Sequence, residues 1–265
     1  MNEEGKAILT IEDLRRAFVS CGVSRGQHII VHASMSRIGF VAGGAEAIVR
    51  ALLDLIGDEG TLLAPAQTWK NLDPSTGVHG EIPHSWWPII REHWPAFDPL
   101  VTPSVGMGAV AETIRIWPGA KRSGHPARSF AAIGRYASYL TEEHDLRNIF
   151  GAGSPLDRLY QLDGYVLLIG VGHEKNTSLH LAETKASFPG KHDVEEHSAM
   201  FVDGKRAWVS YHTQAVDDHD FIRLGTEYEQ EHAVPIHAVG GAEVRLIRQR
   251  PLVDWTVAWM ERHRT

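Results

Sequence analysis

Apolar residues recur along this chain with two periods, one helical and one of strands. In IEDLRRAFVSCGV, Ile11, Leu14, Phe18 and Cys21 share one helical stripe, which gives Cys21 a core-packing role. QHIIVHAS is a short apolar strand ending in polar residues. After the loop MSRIGFVAGG, the periodic AEAIVRALLDLIG predicts a helix closed by Gly57, and GTLLAPA supplies a second strand. Such a β-loop-α-β unit predicts a largely parallel sheet with its working loops at the carboxyl ends of the strands, here Ser34 to Gly44.

The pattern fails between residues 67 and 104, where Pro and Trp cluster in WKNLDPSTG, IPHSWWPII and HWPAFDPLVTP. A long irregular segment with one short helix is expected, and loops of that length are usually functional. From Val105, GMGAVAETIRIW reads as a helix started by TPS, and AKRSGHPARSFAAIG as a loop entering a strand. GSPLDRLYQLDG predicts a helix capped by Ser154 with Pro155 at its first position. YVLLIG is a buried strand that runs into the helix of NTSLHLAE. SAMFVDGKRAWVSY alternates about Asp203-Gly204, a hairpin signal. VDDHDFIRLGTEYEQEHA reads as an acidic helix, AEVRLIRQ as a strand and PLVDWTVAWMERH as a terminal helix from Pro251. Without repeats or linkers, residues 1–265 read as a single domain carrying an insertion at about 67–104.

Composition narrows the function. A chain of 265 residues buries a core without staples, and the lone cysteine excludes an internal disulfide and a cysteine-based zinc cluster. The start MNEEGKAILT lacks the order of a secretory signal and no apolar run approaches a membrane span, so a soluble, cytoplasmic protein with no membrane partner is expected. The net charge of -7 argues against nucleic acid and is compatible with a cationic small molecule.

The richest stretch is GVGHEKNTSLHLAE, residues 170 to 183. Its GxG lacks the third glycine of a dinucleotide loop. If Asn176 or Thr177 caps the following helix, His180 and Glu183, three apart, lie on one face. An imidazole beside a carboxylate gains a fixed tautomer and can serve as a general base, although a core histidine bonded to a carbonyl has the same local sequence. A metal site would need His173, His180 and Glu183 to converge, with His192 or His197 nearby, and no zinc motif is matched, so no metal is expected. No GxSxG elbow is present, which leaves Ser34 and Ser178 without the setting of a hydrolase nucleophile.

Taken with VHASMSRIG, GTLLAPAQTW, KRSGHPARSFAAIG and GAGSPLDRL, this stretch resembles the aminoglycoside 3-N-acetyltransferase family, in the same order from about residue 10 to 255. The resemblance implies an α/β fold, a three-layer α/β/α sandwich around a mixed, largely parallel sheet, unlike the fold of GCN5-related acetyltransferases. It implies acetyl-CoA as co-substrate and acetylation of the 3-amino group of 2-deoxystreptamine antibiotics, giving resistance. An acetyltransferase acting on another small amine, or a metal-dependent hydrolase, stays as an alternative.

The family's LHxAE histidine and glutamate fall on His180 and Glu183. Its coenzyme-holding segments fall on Ser34, Met35 and Ser36 and on Arg122, Ser123 and His125. A strand-end loop offers backbone N–H groups to phosphate and Arg122 a fork of donors; Ser104 and Val105, beside Gly106, form a second candidate cradle. A polycationic acceptor calls for acids, with Asp217 and Asp218 favoured over Asp220, Glu227, Glu229 and Glu231, and with Asp73 on the irregular segment. Trp69, and Trp86 or Trp87, are candidate walls. The expected mechanism is direct transfer, with His180 as base, oriented by Glu183 or by Asp217 or Asp218, and with Thr177, Ser178 or backbone N–H groups of the same helix start as oxyanion donors.

Overall fold

A computed structural model describes residues 8–265. The strands are β1 (His28–Ala33), β2 (Thr61–Pro65), β3 (Lys121–Arg122), β4 (Phe130–Gly134), β5 (Tyr165–Ile169), β6 (Asp193–Val202), β7 (Lys205–Gln214), β8 (His237–Val239) and β9 (Ala242–Arg248). Seven form one sheet in the order β3-β4-β2-β1-β5-β9-β8, while β6 and β7 form a separate ribbon. Among the described residues, only the neighbouring pairs β2–β1 and β1–β5 are hydrogen-bonded in parallel. The margins are antiparallel because β3 and β4, and β8 and β9, are joined by short returns too brief for a crossover. The sheet is therefore mixed, with its parallel part at the centre.

Strand alternation sends Ile29, Val31 and Leu167 into one core, under the helices Ile11–Ser20, Gly44–Ile56 and Ala109–Arg115. Ile30, Val166 and Leu168 enter the opposite core, under Ser178–Lys185, Phe221–His232 and Gln249–His263. Three layers result. Cys21 lies in the first core, and burial pushes its thiol up to about 11.

Several boundaries differ from the sequence expectation. The helix expected from Val105 begins at Ala109, because Gly106 and Gly108 take positive φ (79° and 85°) and keep the preceding residues irregular. The terminal helix begins at Gln249, two residues ahead of Pro251. Part of the loop after β1 is a helical turn, Met35–Ile38. The insertion contains the helix Trp87–His93 and packs on the ribbon, with Leu72 and Phe97 bridging to Ser198 and Met200 and Asn71 donating to the Ala199 carbonyl. No helix among the described residues is long and apolar enough to cross a membrane.

Candidate active site

The carboxyl ends of β1 and β5 lie side by side, and the chain leaves β5 through Gly170 (φ 64°), where a Cβ would meet the Arg37 side chain at 2.7 Å. Asn176 then organises the helix start: its Oδ1 accepts from Ser178 N (3.2 Å) and its carbonyl from Leu179 N (3.1 Å), while the Thr177 carbonyl accepts from His180 N (3.1 Å). Three N–H groups of this helix start are thereby consumed, and Ser178 Oγ is buried, accepting from Gln249 Nε2. The expected oxyanion donors reduce to Thr177, which lines the cleft and whose side chain makes no cap bond.

His173 is buried beneath this turn. The Asn176 amide donates to its Nδ1 (3.3 Å), which leaves Nε2 to donate to Glu229 (3.0 Å), itself paired with Arg245 at 2.7 Å. Its ring packs against Gly225, where any Cβ would lie 2.1 Å from Cγ. His173 therefore supports the turn from below. Among the described residues, no group of three or more His, Cys, Asp or Glu side chains converges as a metal site.

His180 lies one turn further on. Its ring stacks on Phe150 (4.8 Å, 10° between planes) and leans on Phe221 (4.8 Å), which fixes its plane. Nδ1 meets Glu183 Oε2 at 2.8 Å, and Nε2 has no protein partner among the described residues. Glu183 is 1% exposed and its other oxygen accepts from Asp217 N (2.9 Å) and Arg264 Nη1 (2.6 Å). The Arg264 guanidinium also forks onto Asp220 (2.8 and 2.6 Å) and donates to the Asp217 carbonyl. Burial opposes its charge, but the bonds to Asp220 and Glu183 outweigh it and hold the guanidinium protonated more firmly than usual. The carboxylate on His180 is thus Glu183, and the segment 217–220 reaches it through a backbone N–H.

His180 lines two clefts. The larger, about 680 Å³, runs over the strand ends past Ser34, Met35 and Ser36, the loop Val105 to Gly108, and Thr177. Ser34 and Ser36 hydroxyls lie 3.1 Å apart. The N–H groups of Met35, Ser36 and Gly106 to Gly108 have no partner among the described residues. His32 lies in the wall of this cleft, and burial pushes its imidazole down to about 3, so it stays neutral. The second, about 370 Å³, lies between Trp69, Arg128 and the ribbon and reaches Asp218.

Other expected residues lie elsewhere. Arg122 spends all five N–H donors inside the protein, on the carbonyls of Ala66, Pro99 and Thr102 and the hydroxyls of Thr68 and Ser129. Burial pushes it down to about 10, and it pins the insertion to the sheet rather than offering a fork to phosphate. Ser123 is buried between His144 and Phe130 N, and His125 Nδ1 accepts from Ala127 N and Arg128 N. Neither lines either of these two clefts, and both fold the loop before β4 onto itself. Ser104 donates to Glu112 and lies outside the cleft that its neighbour Val105 lines.

Most of the expected acids are also spent. Asp73 is 3% exposed, caps Pro74–Thr76 and takes both arms of Arg91; burial opposes its charge, but the bonds from Arg91 and Ser75 prevail and hold it at about 2. Asp217 turns away from both clefts and pairs with His219 at 2.6 Å. Asp220, Glu227 and Glu229 pair with Arg264, Arg223 and Arg245, and Glu231 accepts from the Trp255 indole. Asp218 alone of these reaches the clefts. Trp69 forms a wall of both, whereas Trp86 and Trp87 line neither. Sequence reading missed Arg264, Phe150, Phe221 and Arg128. Each lies at least 30 positions from His180, and although Arg128, Phe150 and Phe221 fall in or beside quoted segments, no local spacing ties any of the four to it.

Comparison with known proteins adds to this geometry. A family profile described as aminoglycoside 3-N-acetyltransferase matches residues 30–261. Among relatives, the SPbeta prophage-derived aminoglycoside N(3')-acetyltransferase-like protein YokD of Bacillus subtilis is 36% identical, covering 94% of this chain and 89% of its own. The aminoglycoside N(3)-acetyltransferase VII of Streptomyces paromomycinus is also 36% identical, over 94% and 90%. The crystal structure of YokD superposes with a TM-score of 0.94 at 34% identity, covering 98% and 96% of the two chains. A binary complex of AAC-IIIb with CoASH gives 0.85 at 29% identity (97% and 97%), and AAC-VIa bound to sisomicin gives 0.88 at 31% (98% and 100%).

Proposed function

Because this chain belongs to the aminoglycoside 3-N-acetyltransferase family and is an acyltransferase, we propose that it moves the acetyl group of acetyl-CoA onto the 3-amino group of a 2-deoxystreptamine antibiotic, with His180 as general base. Acetylation removes a positive charge from the drug, the chemical basis of a resistance role. The observation that carries the reading is the His180–Glu183 pair at the junction of two clefts, with Nδ1 held and Nε2 free.

The larger cleft takes the coenzyme arm. Its free N–H groups at Met35, Ser36 and Gly106 to Gly108 suit the amides and phosphates of that arm, and Lys175 in the wall supplies a charge that Arg122 cannot. The smaller cleft takes the ring bearing the attacked amine, against Trp69 and with an ammonium on Asp218. That AAC-IIIb is seen with CoASH and AAC-VIa with sisomicin supports a site that takes both kinds of ligand.

The coenzyme supplies an activated acyl carbon. The neutral amine attacks that carbon, forming the C–N bond, and His180 Nε2 takes the amine proton. Glu183, already on Nδ1, stabilises the imidazolium, and Arg264 holds Glu183 in place. Thr177 donates to the developing oxyanion. As the C–S bond breaks, the imidazolium proton passes to the departing sulfur, so the products are amide and free thiol and no acyl-enzyme forms. The test is thiol release from acetyl-CoA with a panel of deoxystreptamine antibiotics, followed by location of the acetylated nitrogen. Acetylation at the 3-amino group is expected; no thiol release with any of them removes the reading.

A further inference from the structure

Beyond Pro65 the chain of β2 stays extended: Ala66 N donates to the Ser129 carbonyl (2.8 Å) and Thr68 N to that of Ala127 (2.9 Å). Ala64 and Ala66 pack into the core under Gly44–Ile56, so Gln67, like Leu63, faces the layer that carries His180. There it lines the larger cleft and is 4% exposed. Its carbonyl accepts from Val105 N (2.9 Å), which fixes the residue in the wall, but its side-chain amide has no partner among the described residues. Neither amide atom is sealed from solvent, in contrast to His32 Nε2 in the same wall. A largely buried amide without a protein partner is costly unless a ligand supplies one.

The acetyl group on sulfur carries one strong acceptor, its carbonyl oxygen, and His180 Nε2 requires that carbonyl in the cleft it shares with Gln67. Three N–H groups of the helix start are consumed, which leaves Thr177 without a second donor from its own turn. Gln67 follows β2 and Thr177 follows β5, the two neighbours of β1, so donors reach the floor over β1 from both sides. We propose that Gln67 is a catalytic residue: its amide N–H donates to the thioester carbonyl oxygen and holds that oxygen, together with Thr177, as negative charge develops on it. When the amine nitrogen bonds to the carbonyl carbon, the C=O π pair moves onto oxygen; it returns as the C–S bond breaks, and Gln67 keeps its protons throughout. This rests on the reading of the larger cleft as the coenzyme site.

The test is Gln67→Met, which keeps the length of the side chain and removes the amide, with folding checked by the urea midpoint. Two properties are compared with wild type: kcat for thiol release at saturating acetyl-CoA and antibiotic, and affinity, by titration without antibiotic, for acetyl-CoA, for CoASH and for S-ethyl-CoA, which lacks the carbonyl. We expect kcat to fall about 10²-fold, the lower end for loss of one oxyanion donor because Thr177 shares the oxygen. Wild type is expected to bind acetyl-CoA at least about threefold more tightly than S-ethyl-CoA, and Gln67→Met to bind the two equally with its affinity for CoASH unchanged. Should Gln67→Met not fold, Gln67→Glu, nearly isosteric and without N–H donors when ionised, is read for the same losses. A kcat within about twofold of wild type, a preference for acetyl-CoA that persists in the variant, or an equal loss of affinity for CoASH overturns the inference while leaving the acetyl-transfer reading intact. Absence of thiol release by wild type with every antibiotic overturns both.

Discussion

Removal of Arg264 tests how the site is held together. Its four hydrogen bonds join Glu183 and Asp220, which are 1% and 9% exposed, and the Asp217 carbonyl. Arg264→Ala strands two buried carboxylates, and breaking a buried pair costs about 3–5 kcal/mol. Against a total stability of about 5–15 kcal/mol for a domain, that is a large loss. It is expected as a drop in the urea midpoint. Catalysis is affected separately, because Glu183 keeps its bond from Asp217 N but loses the charge that fixes it against His180. We expect kcat to fall about tenfold at saturating acetyl-CoA, with KM for acetyl-CoA unchanged, since the larger cleft does not include Arg264. Arg264→Lys keeps the charge without the fork and should recover less than half of either loss. Added guanidinium should restore part of the kcat of the alanine variant. An Arg264→Ala enzyme with wild-type midpoint and kcat within about twofold would refute this reasoning.

Two further outcomes are expected. Arg122→Met should destabilise strongly, because five internal acceptors lose their donors, yet leave KM for acetyl-CoA in the surviving folded fraction unchanged; a selective rise in that KM would return Arg122 to the coenzyme site. Burial lowers His32 to about 3 and His144 to about 4, below the ordinary 6.5 of the unfolded chain. The unfolded state then binds more protons as pH falls below 6.5, so stability is full above that pH and declines to about pH 4 for His144 and lower for His32. The loss is at most ~3 kcal/mol for His144, and denaturation midpoints at pH 7.5 and pH 5 check it; equal midpoints would contradict it.

What the sequence disclosed follows from distance along the chain. The i,i+3 spacing of His180 and Glu183 reveals their pairing because a helix fixes it locally, and apolar alternation in β1 and β5 reveals the buried centre of the sheet. Asp203-Gly204 marks its hairpin because both residues take positive φ (50° and 73°). Arg264 stands 81 positions from Glu183, and no local pattern connects them. Arg122 shows its five donors in the sequence but not the carbonyls and hydroxyls that consume them, which come from three other segments. The acids of the helix Phe221–His232 look like substrate ligands until their partners Arg223, Arg245 and Trp255 are in place. Charge can be counted from sequence, whereas unspent charge requires the fold.

The central claim is that His180 Nε2 takes the proton of the attacking amine. Thiol release by His180→Ala, measured at saturating acetyl-CoA and antibiotic with coenzyme binding checked by titration, tests it most directly. The expected result is a fall in kcat of about 10²–10⁴-fold with coenzyme affinity retained. Turnover at the wild-type rate in a folded His180→Ala enzyme would contradict it.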